Sequence, residues 1–291
     1  MSTTATRSNA VVNVMTVDVE DYFHVSAFDG VVSRANWDGY ESRVSKNTDA
    51  LLSIFDRAGV RGTFFVLGWV AARFPGLVRR IADLGHEVAS HGFHHQLLYL
   101  LTPAQFREDI RTARRAIEDA AGQPVMGYRA PSYSVIQPSL WAIDILIEEG
   151  YAYDASIFPI HHDRYGIPES PRHPYELKRA GGTLLELPGS TVRLGGVNLP
   201  IAGGGYFRQL PYMWTKWGID RVNRVERQPV VFYLHPWEID PDQPRMAVGA
   251  ARRVRHYRGL EQTRGRLERL LSDFRFDAVS AVLNVVPLQV A

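Results

Sequence analysis

The sequence predicts a barrel-like α/β fold in a single domain. Between residues 11 and 154, stretches rich in β-branched residues alternate with helical stretches for five successive units, the pattern of a parallel sheet covered by helices. Several predicted strands end in polar residues, and in such folds the carboxyl ends of the strands carry the chemistry. With 291 residues the chain could hold two domains, but one domain explains the unbroken alternation better.

The elements of the first half follow in strict alternation. Residues 11–17 are mostly β-branched, which predicts a buried strand. The third helix has the clearest start signal, because Thr102 can cap it, Pro103 takes the first helical position and Gln105 completes a capping box. In chain order the predicted elements are strand 11–17, helix 46–57, strand 62–67, helix 75–84, strand 87–90, helix 102–121, strand 125–128, helix 139–149 and strand 151–154.

The second half predicts fewer regular elements and two loops. Residues 160–174 are rich in His, Pro and Tyr without periodicity, and residues 203–205 are three glycines. Both patterns predict surface loops, which often shape a substrate groove. The remaining predicted elements are strands 183–187, 230–234 and 279–285 and helices 211–224 and 260–274.

Composition and charge exclude several classes of function. The chain has no cysteine, so a disulfide, a cysteine nucleophile and a thiolate metal site are ruled out, and any metal must use His, Asp or Glu. Lys and Arg exceed Asp and Glu by only two, which gives no reason to expect a nucleic-acid partner. No stretch resembles a signal peptide or a transmembrane segment. We expect a cytoplasmic protein with residues 1–10 disordered and residues 11–291 forming the domain; the sequence indicates no oligomeric state.

Four predicted strand ends carry residues suited to one metal centre. In a parallel barrel these ends surround one mouth, so residues far apart in sequence can meet there. His91 and His95 are four residues apart, and a helical turn would place both imidazoles on one side. With one carboxylate oxygen they would form a three-ligand site open to water. The four segments are Asp18-Val-Glu-Asp21, His91-Gly-Phe-His-His95, Arg129-Ala-Pro-Ser-Tyr133 and Leu234-His235-Pro-Trp237.

The first segment offers more carboxylates than one metal needs. In an extended chain Asp18 and Glu20 point the same way, so we predict Asp18 as general base on the attacking water and Glu20 as metal ligand. Asp21 is a rival ligand. Alternatively, these acids cap the helix or loop that follows.

The other candidates also have structural alternatives. His94 could replace His95 as a ligand at three-residue spacing. Arg129 could simply form an ion pair, although pairing with Asp18 would also orient that base. His235 could be a core histidine as easily as a proton donor. The remaining histidines are predicted to be structural or exposed: His24, His86, His161, His162, His173 and His256.

These segments resemble the motifs of the polysaccharide deacetylases of the NodB-homology type, also called carbohydrate esterase family 4. The resemblance covers roughly residues 11–240, leaving 241–291 as a C-terminal extension. The opening Asp18 to His24 and the tail 236–258 resemble one subgroup, encoded with bacterial exopolysaccharide loci of the exosortase (PEP-CTERM) type. The matching motifs, in the family's order, are Thr16-Val-Asp18, the strand 62–68, the metal-binding motif 85–95, Arg129-Ala-Pro-Ser-Tyr133, Tyr153-Asp154-Ala-Ser156 and Tyr233-Leu-His235.

The resemblance implies a distorted (β/α) barrel of about seven strands. It also implies one divalent ion, zinc with cobalt or nickel as alternatives, bound by an acid and two histidines. Asp18 would be the base and His235 the acid. The supporting roles it implies are Arg129 orienting Asp18, the Tyr133 backbone N–H binding the oxyanion, Asp154 tuning His235, and Pro131, Tyr133 and Trp237 contacting substrate.

The function this implies is metal-dependent N-deacetylation of an amino-sugar polysaccharide or a lipid-linked precursor, in exopolysaccharide biosynthesis. The family's first motif has two adjacent aspartates, whereas here Val19 takes the second place and the acid moves to Glu20 or Asp21. Hydrolysis of another amide, such as a formamide or a ring ureide, would use the same groups. A third hypothesis is a non-catalytic barrel that binds glycan through aromatic side chains: Tyr133, Tyr206, Trp214 and Trp237.

Overall fold

The computed structural model describes residues 11–285, in which strands and helices alternate through the first half as predicted. The disorder predicted for residues 1–10 lies outside this range. The strands are β1 (Val12–Val19), β2 (Thr63–Val66), β3 (Glu87–Ser90), β4 (Gly127–Tyr128), β5 (Tyr153–Asp154), β6 (Tyr175–Arg179), β7 (Gly182–Glu186), β8 (Thr191–Leu194), β9 (Val197–Pro200), β10 (Val231–Leu234) and β11 (Arg275–Asp277). The α-helices are α1 (Val44–Ala58), α2 (Gly68–Arg73), α3 (Pro75–Asp83), α4 (Pro103–Ala121), α5 (Trp141–Glu148), α6 (Gly204–Gln209), α7 (Tyr212–Arg221), α8 (Ala250–Tyr257), α9 (Leu260–Asp273) and α10 (Val279–Leu283).

One mostly parallel sheet organises the molecule. Its strand order is β10-β1-β2-β3-β4-β5-β7-β6, and β11 pairs with the first part of β1 beside β10. Every pairing in this sheet is parallel except that between β6 and β7. The carboxyl ends of the parallel strands therefore lie at one edge, where polar side chains can meet.

Successive side chains of β1 point to opposite faces of the sheet, which explains how an almost fully buried strand presents acids to that edge. Met15, Val17 and Val19 pack into the main hydrophobic core. Val14, on the opposite face, joins a second apolar cluster, and Asp18 follows four residues later on that same face. Successive strand residues point to opposite faces, so one side of β1 packs against the core and the other ends in a carboxylate.

The predicted start of helix α4 is confirmed: the helix begins directly after its cap residue, Thr102. The Thr102 side chain accepts a hydrogen bond from the backbone N–H of Gln105, and the Gln105 side chain accepts one from the backbone of Thr102. Together these bonds satisfy two N–H groups that a helix end leaves unpaired. Helix α4 packs against α2, α3 and β3. Its capped first turn therefore belongs to the layer of helices that covers β3.

The predicted mixed α/β fold is confirmed. The main sheet has nine strands in the described part of the chain where about seven were expected, because β6 and β7 form a hairpin and β11 adds to β1. Across residues 11–285 no ladder joins β10 to β6, the two ends of the strand order. Nor does any helix in this range combine the length and apolar character that crossing a membrane requires.

Two local predictions were wrong. The strand expected at 279–285 is the helix α10, whose first N–H groups find side-chain acceptors: Val279 N donates to Thr63 Oγ1 and Ser280 N to Glu87 Oε2. Val279 itself fills the apolar cluster that contains Val14. The three-glycine loop at 203–205 instead leads into a helix, since α6 begins at Gly204. The β6–β7 and β8–β9 hairpins and the helices α2, α6 and α8 were not predicted.

Candidate active site

The residues expected at the strand ends meet around one cavity of about 590 Å³. Asp18 and Glu20 come from the end of β1, and His91 follows β3 directly. Arg129 follows β4 and His235 follows β10. Asp18, Glu20, His95 and His235 line the cavity. A volume of this size is within the range typical of small-molecule sites.

Glu20, His91 and His95 form a three-residue group that could hold a metal ion. One ligand atom from each lies within 4.8 Å of the other two, and all three side chains are buried. Glu20 Oε2 is 2.8 Å from His95 Nε2. A set of one oxygen and two nitrogens suits zinc and several related divalent ions and leaves positions free for water or substrate.

The imidazole of His91 is prepared for such a role. Its Nδ1–H donates to the backbone carbonyl of Arg129 at 2.8 Å, and since a carbonyl can only accept, the lone pair must be on Nε2. This arrangement orients metal-binding histidines in many proteins. Burial lowers the pKa of His91 to about 4, so the ring is neutral at physiological pH. His95 Nδ1 is also buried, and it has no hydrogen-bond partner among the described residues.

The segment from His91 to His95 is a strained loop, not the helical turn that their spacing suggested. Gly92 has φ 73° and His95 has φ 49°, both in the left-handed region that favours glycine. A Cβ on Gly92 would lie 2.8 Å from Asp109 Oδ2. That carboxylate holds the loop, accepting from Phe93 N at 2.9 Å and from His94 N at 3.4 Å. The loop thus returns His95 toward Glu20 without a helix.

Asp18 and Arg129 form the ion pair considered from the sequence. Arg129 Nη1 lies 2.7 Å from Asp18 Oδ1 and 2.8 Å from Thr16 Oγ1. The guanidinium also donates from Nε to the carbonyl of Ala155 and lies over the ring of Phe65, 4.2 Å from its centroid. With several contacts and almost no exposure, Arg129 is fixed in place and fixes Asp18 in turn.

Glu20 is held from a second direction by Trp237. The indole N–H of Trp237 donates to Glu20 Oε1 at 3.1 Å, which leaves Oε2 toward His95. Burial alone would raise the pKa of Glu20, but the charges of His95 and His235 hold it well below its usual value. The carboxylate is therefore ionised, the form in which it can bind a cation.

His235 faces both acids across the cavity. Its Nε2 lies 3.8 Å from Asp18 Oδ2 and 3.6 Å from Glu20 Oε1, and its Nδ1 lies 3.6 Å from Glu238 Oε2. Burial lowers the pKa of His235, but the carboxylates of Glu20, Glu238 and Asp18 outweigh it and raise the pKa to about 9. Glu238 is buried and pairs with Arg208 at 2.9 Å. Of these three acids, Asp18 is held by Arg129 and Glu238 by Arg208.

Comparison with known proteins gives a family match for part of the chain. The family model for polysaccharide deacetylases matches residues 36–144, and a model described as a domain of unknown function (DUF3473) matches residues 155–284. The chain carries a polysaccharide deacetylase domain of the NodB type. A chitooligosaccharide deacetylase of Bradyrhizobium sp. (strain ANU 289) is 33% identical over 110 residues, which are 38% of this chain and 48% of the relative. The match thus spans about half the length of that curated relative.

Two solved structures share the fold of this deacetylase domain and the segment that follows it. A Mycobacterium smegmatis protein assigned to the polysaccharide deacetylases superposes with a TM-score of 0.61 at 21% identity, covering 99% of this chain and 96% of the other. The allantoinase PuuE superposes with a TM-score of 0.65 at 15% identity, covering 96% and 91%. At these identities the likeness concerns the fold.

Asp154 does not reach His235. It lies beside Glu186 in the register of β5 and β7, and its Oδ1 accepts from Ser156 Oγ. Burial raises the pKa of Asp154 to about 6, and burial together with the charge of Asp154 raises that of Glu186 well above its usual range. The two carboxyls therefore form a buried pair in which the protonated form of Glu186 is favoured. The acid beside His235 is Glu238.

Asp21 is not part of the three-residue group. Its carboxylate accepts from Ser42 Oγ at 2.6 Å and from the backbone N–H groups of Arg43 and Val44 at 2.9 and 3.1 Å, so it caps the start of α1. Burial raises its pKa to about 6. The capping alternative weighed for these acids thus describes Asp21, while Glu20 faces the histidines.

The predicted substrate contacts divide into two groups. Tyr133 and Trp237 line the cavity, as does Tyr206, whereas Pro131 is buried in the turn before Tyr133 and does not line it. The backbone N–H of Tyr133, expected at the oxyanion, donates to the carbonyl of Ala130 at 3.2 Å. In this conformation that amide is already used within the turn.

Three residues near the site were not identified from the sequence. Glu238 was visible three residues after His235, where Pro236 starts a short 3₁₀ turn that returns the carboxylate to the imidazole; that spacing was a usable signal. Arg208 and the buried His256, which stacks on Trp237 at 4.4 Å, carried no such signal. His94 is exposed and lies outside the three-residue group.

Proposed function

We propose that this protein is a metal-dependent deacetylase that removes acetyl groups from N-acetylated amino-sugar glycans. The observation that carries the proposal is that Glu20, His91 and His95 surround one point while Asp18 and His235 flank it from the same cavity. A metal group alone, or an acid and a histidine alone, would also suit a structural role. The three kinds of group together match the requirements of amide hydrolysis.

The donor set fits a divalent ion such as zinc, with cobalt or nickel as alternatives. Glu20 is ionised, and His91 is neutral with its lone pair on Nε2. The buried Nδ1 of His95 has no hydrogen-bond partner among the described residues, and a metal ion would give it a partner. When bound, such an ion supplies Lewis acidity toward the acetyl carbonyl and the attacking water. Glu20, His91 and His95 would hold it.

The side chains around this point then divide the proton transfers. Asp18 accepts a proton from the attacking water, and Arg129, 2.7 Å away, holds the carboxylate in place. His235 donates a proton to the departing sugar nitrogen, while Glu238 beside its Nδ1 keeps the ring charged and oriented. The products are acetate and a free amine.

The family match and the curated relative support a sugar polymer as the substrate class. The Bradyrhizobium relative is named for its action on chitooligosaccharides. We propose a role in bacterial exopolysaccharide biosynthesis, on the polysaccharide itself or on a lipid-linked precursor. Formamide or ureide hydrolysis would use the same side chains, and product analysis separates these reactions.

The test is release of acetate from N-acetylglucosamine oligomers by the whole chain. The protein is stripped with a chelator, assayed with and without added zinc, cobalt or nickel, and compared with His91→Ala. His94→Ala is the matched control, because His94 lies in the same loop but is exposed and outside the proposed ligand set. Metal content is measured in parallel.

We expect metal-restored acetate release in the wild type and in His94→Ala and none in His91→Ala. Tight metal binding with no acetate from any N-acetylated sugar would refute deacetylation. Acetate release that does not depend on metal or on His91 would refute the proposed centre.

A further inference from the structure

The cavity extends well beyond the proposed metal group. Its outer wall comes from the segment 155–284, which lies beyond the residues matched by the deacetylase model. His162, Arg164 and Tyr165 contribute from the long loop after β5, and Arg255 from α8. This wall therefore lies outside the part of the chain that the deacetylase model matches.

Arg164 and Arg255 are the unpaired charges of this wall. Neither has a carboxylate within 4.0 Å among the described residues, and the one side-chain hydrogen bond recorded for either joins Arg164 Nη2 to the carbonyl of Ser26 at 3.5 Å. Arg164 is half-buried and Arg255 is exposed. The other acids and arginines that line the cavity are all in the ion pairs described above: Asp18 with Arg129, Glu20 with His95, and Arg208 with Glu238.

The charges of both arginines act on His162. Burial lowers the pKa of His162, and the positive charges of Arg255 and Arg164 lower it further, although Asp163, 3.0 Å from His162, opposes them. His162 stacks on Tyr165 with ring centroids 3.9 Å apart. The Tyr165 hydroxyl lies 3.2 Å from that of Tyr206. Two arginines, with the exposed Asp163 beside His162, thus border an aromatic wall suited to a sugar ring.

We propose that Arg164 and Arg255 bind an anionic group on the glycan, so that the substrate is an acidic amino-sugar chain or its phosphate-linked precursor. Arginine presents a planar fork of N–H donors that matches the oxygens of a carboxylate or a phosphate. Both anions share this chemistry: the carboxylate of an acidic sugar next to the acetamido sugar, or the phosphate of a linkage. This inference rests on the proposed function, because it concerns the same cavity.

The experiment compares three substrates with the metal-loaded whole chain. One is a neutral N-acetylglucosamine oligomer, one an oligomer of N-acetylated amino sugar and uronic acid, and one an N-acetylglucosamine diphosphate carrying an alkyl chain. The variants are Arg164→Ala and Arg255→Ala. Arg253→Ala is the matched control, because it removes the same charge from the same helix at an exposed residue that does not line the cavity. Binding of each substrate to the wild type and the variants is measured by calorimetry alongside acetate release.

We expect the wild type to prefer an anionic substrate, and each arginine variant to raise KM or Kd for that substrate by roughly fivefold to tenfold. Values for the neutral oligomer and for Arg253→Ala should not change, and the effect should shrink as salt screens the charges. Whichever anionic substrate shows the loss identifies carboxylate or phosphate as the group bound.

Equal effects on neutral and anionic substrates, or no preference for either anion, would overturn the inference while leaving the deacetylase proposal intact. Calorimetry keeps the two proposals separate. If no substrate is turned over but anionic glycans bind and Arg255→Ala weakens that binding, the deacetylase proposal fails and the anion site stands.

Discussion

Replacing Glu238 with glutamine removes the negative charge nearest His235 Nδ1 while keeping the side chain's size. The two atoms are 3.6 Å apart, which corresponds to about 4.6 kcal/mol at an effective dielectric constant of about 20. The separation exceeds a hydrogen bond and the His235 side chain is partly exposed, so we expect less than half of this. A loss of about 2 kcal/mol corresponds to roughly a thirtyfold fall in kcat.

The assay is acetate release by metal-loaded protein, with kcat and KM determined separately. A residue that positions and charges the proton donor should lower kcat more than it changes KM. Glu238 also pairs with the buried Arg208, and breaking such a pair destabilises a protein by about 3–5 kcal/mol. The fraction of folded protein is therefore checked by urea unfolding at the assay temperature.

Arg208→Gln is the control, because it breaks the same buried pair but leaves the charge of Glu238 beside His235. We expect a similar loss of stability and a much smaller loss of kcat than in Glu238→Gln. If Glu238→Gln kept the wild-type kcat, or if Arg208→Gln lost as much, Glu238 would serve only to stabilise the fold.

Three further predictions concern the proposed metal ligands and two buried acids. Glu20→Gln and His95→Ala should each lose the bound metal, measured as equivalents of zinc per chain, because each removes one ligand of a three-residue set; full retention would refute the assignment. Asp21→Ala should keep its zinc but lose about 2 kcal/mol of unfolding free energy, since the cap of α1 is removed; loss of zinc would make Asp21 a ligand. The raised pKa of Glu186 means that the folded state keeps a proton that the unfolded chain has lost above pH 4.5. Stability should therefore fall as pH rises, by at most about 1.4 kcal/mol per pH unit. Glu186→Gln should flatten that slope in urea unfolding between pH 5.5 and 8, and equal slopes would contradict the raised pKa of Glu186.

The pairing of Asp18 with Arg129 and the shared direction of Asp18 and Glu20 could be anticipated from local pattern. Strand residues two apart point the same way, and an arginine after another parallel strand reaches the same edge of the sheet. Both relations depend on strand order and periodicity. They therefore do not depend on the elements that were predicted wrongly, the strand at 279–285 and the loop at 203–205.

The choice among the acids could not be made in this way. Asp21 is one residue from Glu20, and only the arrival of Ser42 to Val44 beside it gives its carboxylate a different task. Asp154 was assigned to His235 by resemblance, but its neighbour across the sheet is Glu186. The local sequence predicts neither the contact of Asp21 with residues 42–44 nor that of Asp154 with Glu186.

The sequence by itself determined the alternation of strands and helices, the absence of thiolate chemistry and the residue types at each strand end, because these depend on composition and on spacing within a few residues. The tertiary structure decided which of those residues meet. Trp237 and Glu20 are 217 positions apart, and Tyr165 and Tyr206 are 41 apart. Contacts at such separations arise from how the sheet and its loops pack together, so the active site and its arginine-bearing wall could be described only once the fold was known.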